Sequence, residues 1–252
     1  MKRITVLFFL FLSYTSFSQD LAFGKKMVDT LTSATFWGRG YTNDGMKKAA
    51  DFLAAQFKSY GLTPMKGKDF LQPFTYPVNT FPGKMELSIN GTELVPGKDF
   101  IVGPASKASK SSGDLQLNAR HKDQFINPDK MVIVQLQDKL TWSVSGEEEM
   151  ATMVLVDKNA VKGTPTSFKT NIENKFVSNF RASNVCGIIK GTANPDSVIL
   201  ITAHYDHLGG MGKNTYFPGA NDNASGVSLL LNLAKYYAAN PQPFTIGFIL
   251  FA

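Results

Sequence analysis

Two continuously apolar runs, residues 198–203 and 244–251, bracket a segment at 225–239 whose apolar positions Val227, Leu230, Leu231, Ala234 and Tyr237 recur at helical spacing. Short apolar runs of this kind read as strands buried on both faces, and the segment between them reads as a helix covering a sheet. Strand, helix and strand at these lengths form a right-handed crossover between parallel neighbours. The fold class expected is therefore α/β, a mixed or parallel sheet flanked by helices. Residues 185–189 add a further strand.

Upstream, residues 21–31 show helix-like spacing. Residues 43–60 show it more clearly, with Met46, Ala49, Ala50, Leu53 and Phe57 on one face, Asn43 or Asp44 available to cap, and Gly61 as the stop. From Phe70 to about Lys175 the texture changes to short apolar runs, 85–89, 100–102, 131–136 and 153–156, separated by Gly, Pro, Asn and Ser, and within it residues 86–175 are set apart. That stretch is expected to be a β-rich insert. It divides an N-terminal part of the main domain, 19–85, from its continuation at 176–252.

The first 18 residues read as a secretory signal, with Lys2 and Arg3 before an apolar run and Ser16-Phe17-Ser18 as a cleavage site. The run is short for a membrane span, and the expected location is exported, periplasmic or extracellular. Without those two cations the formal charge falls from +6 to +4. The remaining Lys and Arg are scattered, so nucleic acid is not an expected partner. Lys107 and Lys110 lie among Ser and Ala and read as a solvated loop. The sequons at Asn90 and Asn223 decide nothing.

The single cysteine, Cys186, excludes an internal disulfide and thiolate-rich zinc sites. In its apolar run it reads as a buried strand residue. A metal would have to use His and carboxylates.

Ligands of open α/β sheets bind beyond the carboxyl ends of the strands, which directs attention to His204-Tyr205-Asp206-His207. With a strand period of two, His204 and Asp206 face the same way, an imidazole and a carboxylate able to orient it. Eighteen residues on, Asp222 stands in Gly219-Ala220-Asn221-Asp222-Asn223-Ala224-Ser225-Gly226 at the entry to the next helix. The crossover brings it to the same sheet edge. A mixed His and carboxylate set suits zinc, whereas calcium and magnesium favour all-oxygen shells. His207 reads as a rim or structural residue and His121 as a surface residue. Ser225 opens a helix, yet the position two before it is Asn223 rather than the Gly of a nucleophile elbow.

The segments from Thr202 to Gly209 and from Gly219 to Gly226 resemble the two leading metal-site motifs of the M28 peptidases, the co-catalytic zinc aminopeptidases. Gly38-Arg39-Gly40, followed by a helix and then Gly61-Leu62-Thr63-Pro64, resembles the start of members of that family. The resemblance implies two Zn2+ per complete site, with His204 binding one, Asp222 bridging both and Asp206 acting as the carboxylate behind His204 that tunes the metal-bound water. It implies a cis peptide between Asp222 and Asn223, and an insert of reduced protease-associated type. The implied activity is release of N-terminal residues from peptide or protein substrates with a free N-terminus. An aminoacyl cyclase or a non-catalytic, receptor-like relative on the same fold are the alternatives.

The family's paired glutamates and further ligands would follow residue 252, and a central strand ending the chain would leave unpaired edges. The 252-residue chain is accordingly expected to be a front part of a longer protein. Alone, it is expected to be inactive, aggregation-prone and weak in zinc binding. Substrate side-chain preference and oligomeric state are not legible.

Overall fold

The computed structural model describes residues 20–252; the expected signal segment lies outside them. The long strand Lys175–Ile189 organises the main sheet. One of its flanks pairs antiparallel with Thr63–Pro64 and Leu71–Thr80, the other with Phe244–Phe251, and Asn194–His204 lies parallel beyond that. The sheet is mixed, as expected, with the parallel pair contributed by the crossover through Ser225–Ala239.

Three helices complete this layer: α1, Leu21–Leu31; α2, Gly45–Tyr60; and α3, Ser225–Ala239. The face of α2 predicted from spacing is the buried one, since Met46, Ala49, Ala50, Leu53 and Phe57 all pack in the core. They meet Ile246, Phe248 and Leu250, the alternate residues of Phe244–Phe251, and Val227, Leu230, Leu231 and Ala234 of α3. Gly61 ends α2 in the left-handed conformation at φ 86°, which glycine adopts without a Cβ penalty. Asp44 takes the N-cap position but itself has φ 57°, and its side chain caps nothing. The expected cap is absent because a left-handed residue aims its side chain away from the first-turn amides.

One strand departs from expectation. The apolar run 198–203 predicts burial on both faces, yet Val198, Ile199 and Leu200 are 53–54% exposed. Asn194–His204 is the edge strand among the described residues, and a Cβ built on Gly247 would meet Val198 and Leu200, which places them on the face away from the helices. Phe244–Phe251 does not have the unpaired edges expected of it. It lies between two strands, and the free edge belongs to its neighbour.

A second core is built from two sheets. One runs Phe100–Val102, Thr152–Asp157, Val132–Gln137, Gln124–Asn127 and Gln116–Leu117; the other runs Thr92–Leu94, Met85–Ile89, Ser167–Ile172 and Ser109–Asp114. Alternating residues of both, including Leu87, Ile89, Val132, Val134, Val154 and Phe168, interdigitate between them. Met211, from the segment between the two candidate site motifs, is fully buried in this second core.

Cys186 is buried, and desolvation raises its thiol above the ordinary range. A buried, protonated thiol is a poor nucleophile. Alkylation at pH 8 is therefore expected to follow unfolding of the chain, with full reactivity in denaturant. Rapid stoichiometric labelling of the folded protein would contradict the placement of this strand.

Among the described residues no helix is long and apolar enough to cross a membrane.

Candidate metal centre

The Asn194–His204 strand ends at the imidazole, so the backbone delivers His204 to the carboxyl edge of the sheet and then turns. Side chains alternate through this turn. Tyr205 points into the core, fully buried, and its hydroxyl donates to the Ser183 carbonyl at 2.8 Å. His204 and Asp206 face the other way, with Nδ1 of the imidazole 3.1 Å from Asp206 Oδ1. That contact occupies Nδ1 and leaves Nε2 directed outward.

Asp222 arrives in the irregular turn Ala220–Ala224 ahead of α3. Its Oδ1 lies 3.3 Å from His204 Nε2, and its Oδ2 lies 3.6 Å from His207 Nδ1. Asn223 ties the turn to both neighbours, donating from Nδ2 to the His204 carbonyl at 3.3 Å and accepting the Gly226 amide at 3.1 Å. The Asp222–Asn223 peptide is cis, the geometry that the family resemblance implied.

All three residues singled out in the sequence thus converge. Their exposures suit different parts: the Asp206 side chain is 27% exposed, His204 47% and Asp222 69%. His207 is mostly buried beneath the same loop, where a Cβ on Gly219 would meet its ring at 2.5 Å. Burial, reinforced by the charge of Arg39, lowers its pKa, while Asp222 and Asp206 oppose the shift. His121 sits in an exposed turn of the second core's sheets.

The donor set can be tested against zinc without any ion present. Zinc bonds of about 2.0–2.2 Å to N and O at a tetrahedral angle separate two ligand atoms by roughly 3.3 Å. His204 Nε2 and Asp222 Oδ1 stand 3.3 Å apart. The residues fit the metal. Among the described residues no group of three or more His, Cys, Asp or Glu side chains closes as a full metal shell would.

Sequence reasoning marks Arg39 only as part of a motif. It is fully buried. Nε donates to the Tyr205 carbonyl at 2.8 Å, Nη1 to Leu31 and Pro218 at 3.0 and 2.7 Å, and Nη2 to Gly219 and Asp222 at 2.8 and 3.3 Å. Every N–H of the guanidinium is used. Burial lowers its pKa to about 10, against the raising influence of Asp206 and Asp222, so it stays charged at neutral pH.

Residues 184–252 match the sequence profile of Peptidase family M28. The chain is 29% identical to Aminopeptidase YwaD of Bacillus subtilis over 161 residues, 61% of this chain and 34% of that protein. It is 31% identical to a probable zinc metalloprotease of Pyricularia oryzae over 103 residues, 40% and 20% of the two. The matched stretches thus span about a third or less of these curated relatives. Among solved structures, the zinc aminopeptidase BSAP from Bacillus subtilis superposes with a TM-score of 0.62 at 18% identity, covering 92% of this chain and 61% of that one. A Peptidase M28 precursor from Shewanella amazonensis SB2B gives 0.63 at 17%, covering 92% and 64%. These likenesses establish the shared fold. The profile match falls on the very residues that form the candidate centre, and with these relatives it supports an M28 family peptidase.

Proposed function

We propose that this chain carries part of a co-catalytic zinc aminopeptidase centre, in which His204 and Asp222 are metal ligands and Asp206 orients His204. The observation that carries the reading is the imidazole held between two carboxylates, Nδ1 to Asp206 and Nε2 to Asp222 at the spacing of paired zinc ligands. Asp206 fixes the tautomer that keeps Nε2 unprotonated and raises its basicity. Asp222 Oδ1 faces the imidazole, and Oδ2, beyond hydrogen-bond distance of His207, is left to a second ion. Bound zinc would supply Lewis acidity and an activated water for amide hydrolysis. The substrate class proposed is peptides or proteins with a free N-terminus, handled outside the cytoplasm after export directed by residues 1–18.

His204 and Asp222 are two donors where a tetrahedral zinc takes four. The 252-residue chain is therefore expected to bind zinc weakly, to lose that binding in His204→Ala, and to release no amino acid from aminoacyl anilides. Zinc titration against a chromophoric chelator and a chromogenic peptidase assay check this. Stoichiometric zinc in the purified chain with peptidase activity would overturn the claim of inactivity. Zinc affinity indifferent to His204→Ala would overturn the ligand assignment.

A further inference from the structure

Two loops have to meet for this centre to exist. His204 leaves one strand end, Asp222 precedes a helix, and the intervening segment makes a long excursion. No disulfide joins them. Asn223 makes one direct link, from the Asp222 turn to the His204 carbonyl; the group that fastens both from beneath is Arg39, whose Nε holds the carbonyl between His204 and Asp206, while Nη1 and Nη2 hold the carbonyls of Pro218, Gly219 and Asp222.

The backbone carrying Arg39 is inlaid against the same loops. His207 N donates to the Arg39 carbonyl at 3.1 Å and Gly209 N to that of Gly38 at 3.0 Å. Trp37, Gly38 and Arg39 all have positive φ, 44°, 62° and 47°, a run that non-glycine residues seldom adopt. A Cβ on Gly38 would stand 2.4 Å from the Gly209 carbonyl oxygen. The conformation serves to turn the arginine side chain inward beneath the site while its own peptide groups follow the loop above.

We propose that Arg39 is the positioning residue of the centre: its planar fork sets the separation of His204 from Asp222 by fastening the backbone beside each. Fully buried, with its donors spent on backbone carbonyls, it has none left for a substrate. The guanidinium suits this because its five donors lie in one rigid plane, whereas a lysine ammonium offers three donors at a point. The consequence for metal affinity rests on the zinc reading above; the consequence for the loops does not.

The test uses the 252-residue chain and zinc itself. Arg39→Lys is expected to lower zinc affinity by about 10- to 100-fold, the usual effect of removing a group that orients a ligand. It is also expected to speed exchange of the Ala224 amide, which donates to Gly219 O, while Gly103 and Thr152 amides in the second core exchange as before. In Arg39→Ala, millimolar guanidinium ion is expected to restore part of the affinity, which a merely structural defect would not permit. Affinity within twofold of wild type in Arg39→Lys, or no acceleration at Ala224, overturns the proposal. Should His204→Ala leave zinc affinity unchanged, the metal reading falls and Ala224 exchange alone decides for or against Arg39. If neither variant folds, the wild-type Arg39 Nε–H resonance serves. Protection from exchange supports the clamp, with a shift on zinc addition that His204→Ala abolishes, and rapid exchange of that proton overturns it.

Discussion

Gly40→Ala is expected to destabilise the chain by about 3 kcal/mol, the upper part of the range for overpacking, while Gly61→Ala costs only about 1 kcal/mol for a left-handed alanine. The two glycines exist for opposite reasons. Gly61 has φ 86° and open space for 4 Å around the point where a Cβ would stand, so its requirement is conformational. Gly40 has φ −126°, open to any residue, but a Cβ there would lie 2.3 Å from Gly209 Cα and 2.4 Å from Gly209 N. Those are backbone atoms of the loop that follows His207, and they cannot rotate aside as a side chain can. Urea unfolding of both variants gives the comparison. In Gly40→Ala the amides of His207 and Gly209, which bond to Arg39 and Gly38, are expected to exchange faster even where the protein stays folded. A Gly61 variant as damaged as the Gly40 variant would show that the inlay is looser than its contacts suggest.

The same contrast explains what the sequence could and could not disclose. Helices α2 and α3 are legible because their cores lie on one face and a period of 3.6 exposes it. His204 and Asp206 are legible because a strand places i and i+2 together, and Asp222 because a crossover returns the chain to the same edge. Arg39 is not legible as a clamp. Its five partners are carbonyls, which every residue carries, drawn from positions 8 to 183 residues away. No side-chain pattern can announce such a set; the available signal is a charged residue between two glycines.

Burial on both faces fails for residues 198–203 because apolar composition reports what a strand can bury, not its rank in the sheet. Asn90-Gly91, legible in the sequence also as the start of a sequon, is the two-residue turn joining Met85–Ile89 to Thr92–Leu94, with φ of 52° and 77°. Asn-Gly between apolar runs is a strong hairpin signal.

Met211→Ala is expected to cost about 2–5 kcal/mol, as for other fully buried methionines, and to loosen the candidate centre from a distance. The segment from His207 to Asp222 does not cross open surface. Met211 enters the second core and bridges to Phe81, Gly212 N donates to Phe81 O at 2.8 Å, and Thr215 Oγ1 donates to the Pro96 carbonyl at 3.2 Å. On the way back the Phe217 ring packs against Trp142, centroids 4.8 Å apart and planes tilted by 31°, with Trp142 fixed by its indole N–H on the Val102 carbonyl. Phe217 N then bonds to Gly209 O, one residue before the Pro218 carbonyl that Arg39 holds. A cavity at Met211 therefore weakens the anchor of the loop that presents Asp222. Amide exchange at Gly212 and Phe217 is expected to accelerate together with the fall in urea midpoint, whereas Met150→Ala, 69% exposed, should stay within about 0.5 kcal/mol of wild type. A Met211 variant that loses stability while Phe217 keeps its protection would mean that the two cores fold independently of the loop between them. If both change together, the β-rich module is a structural member of the site, through the segment it shares with it.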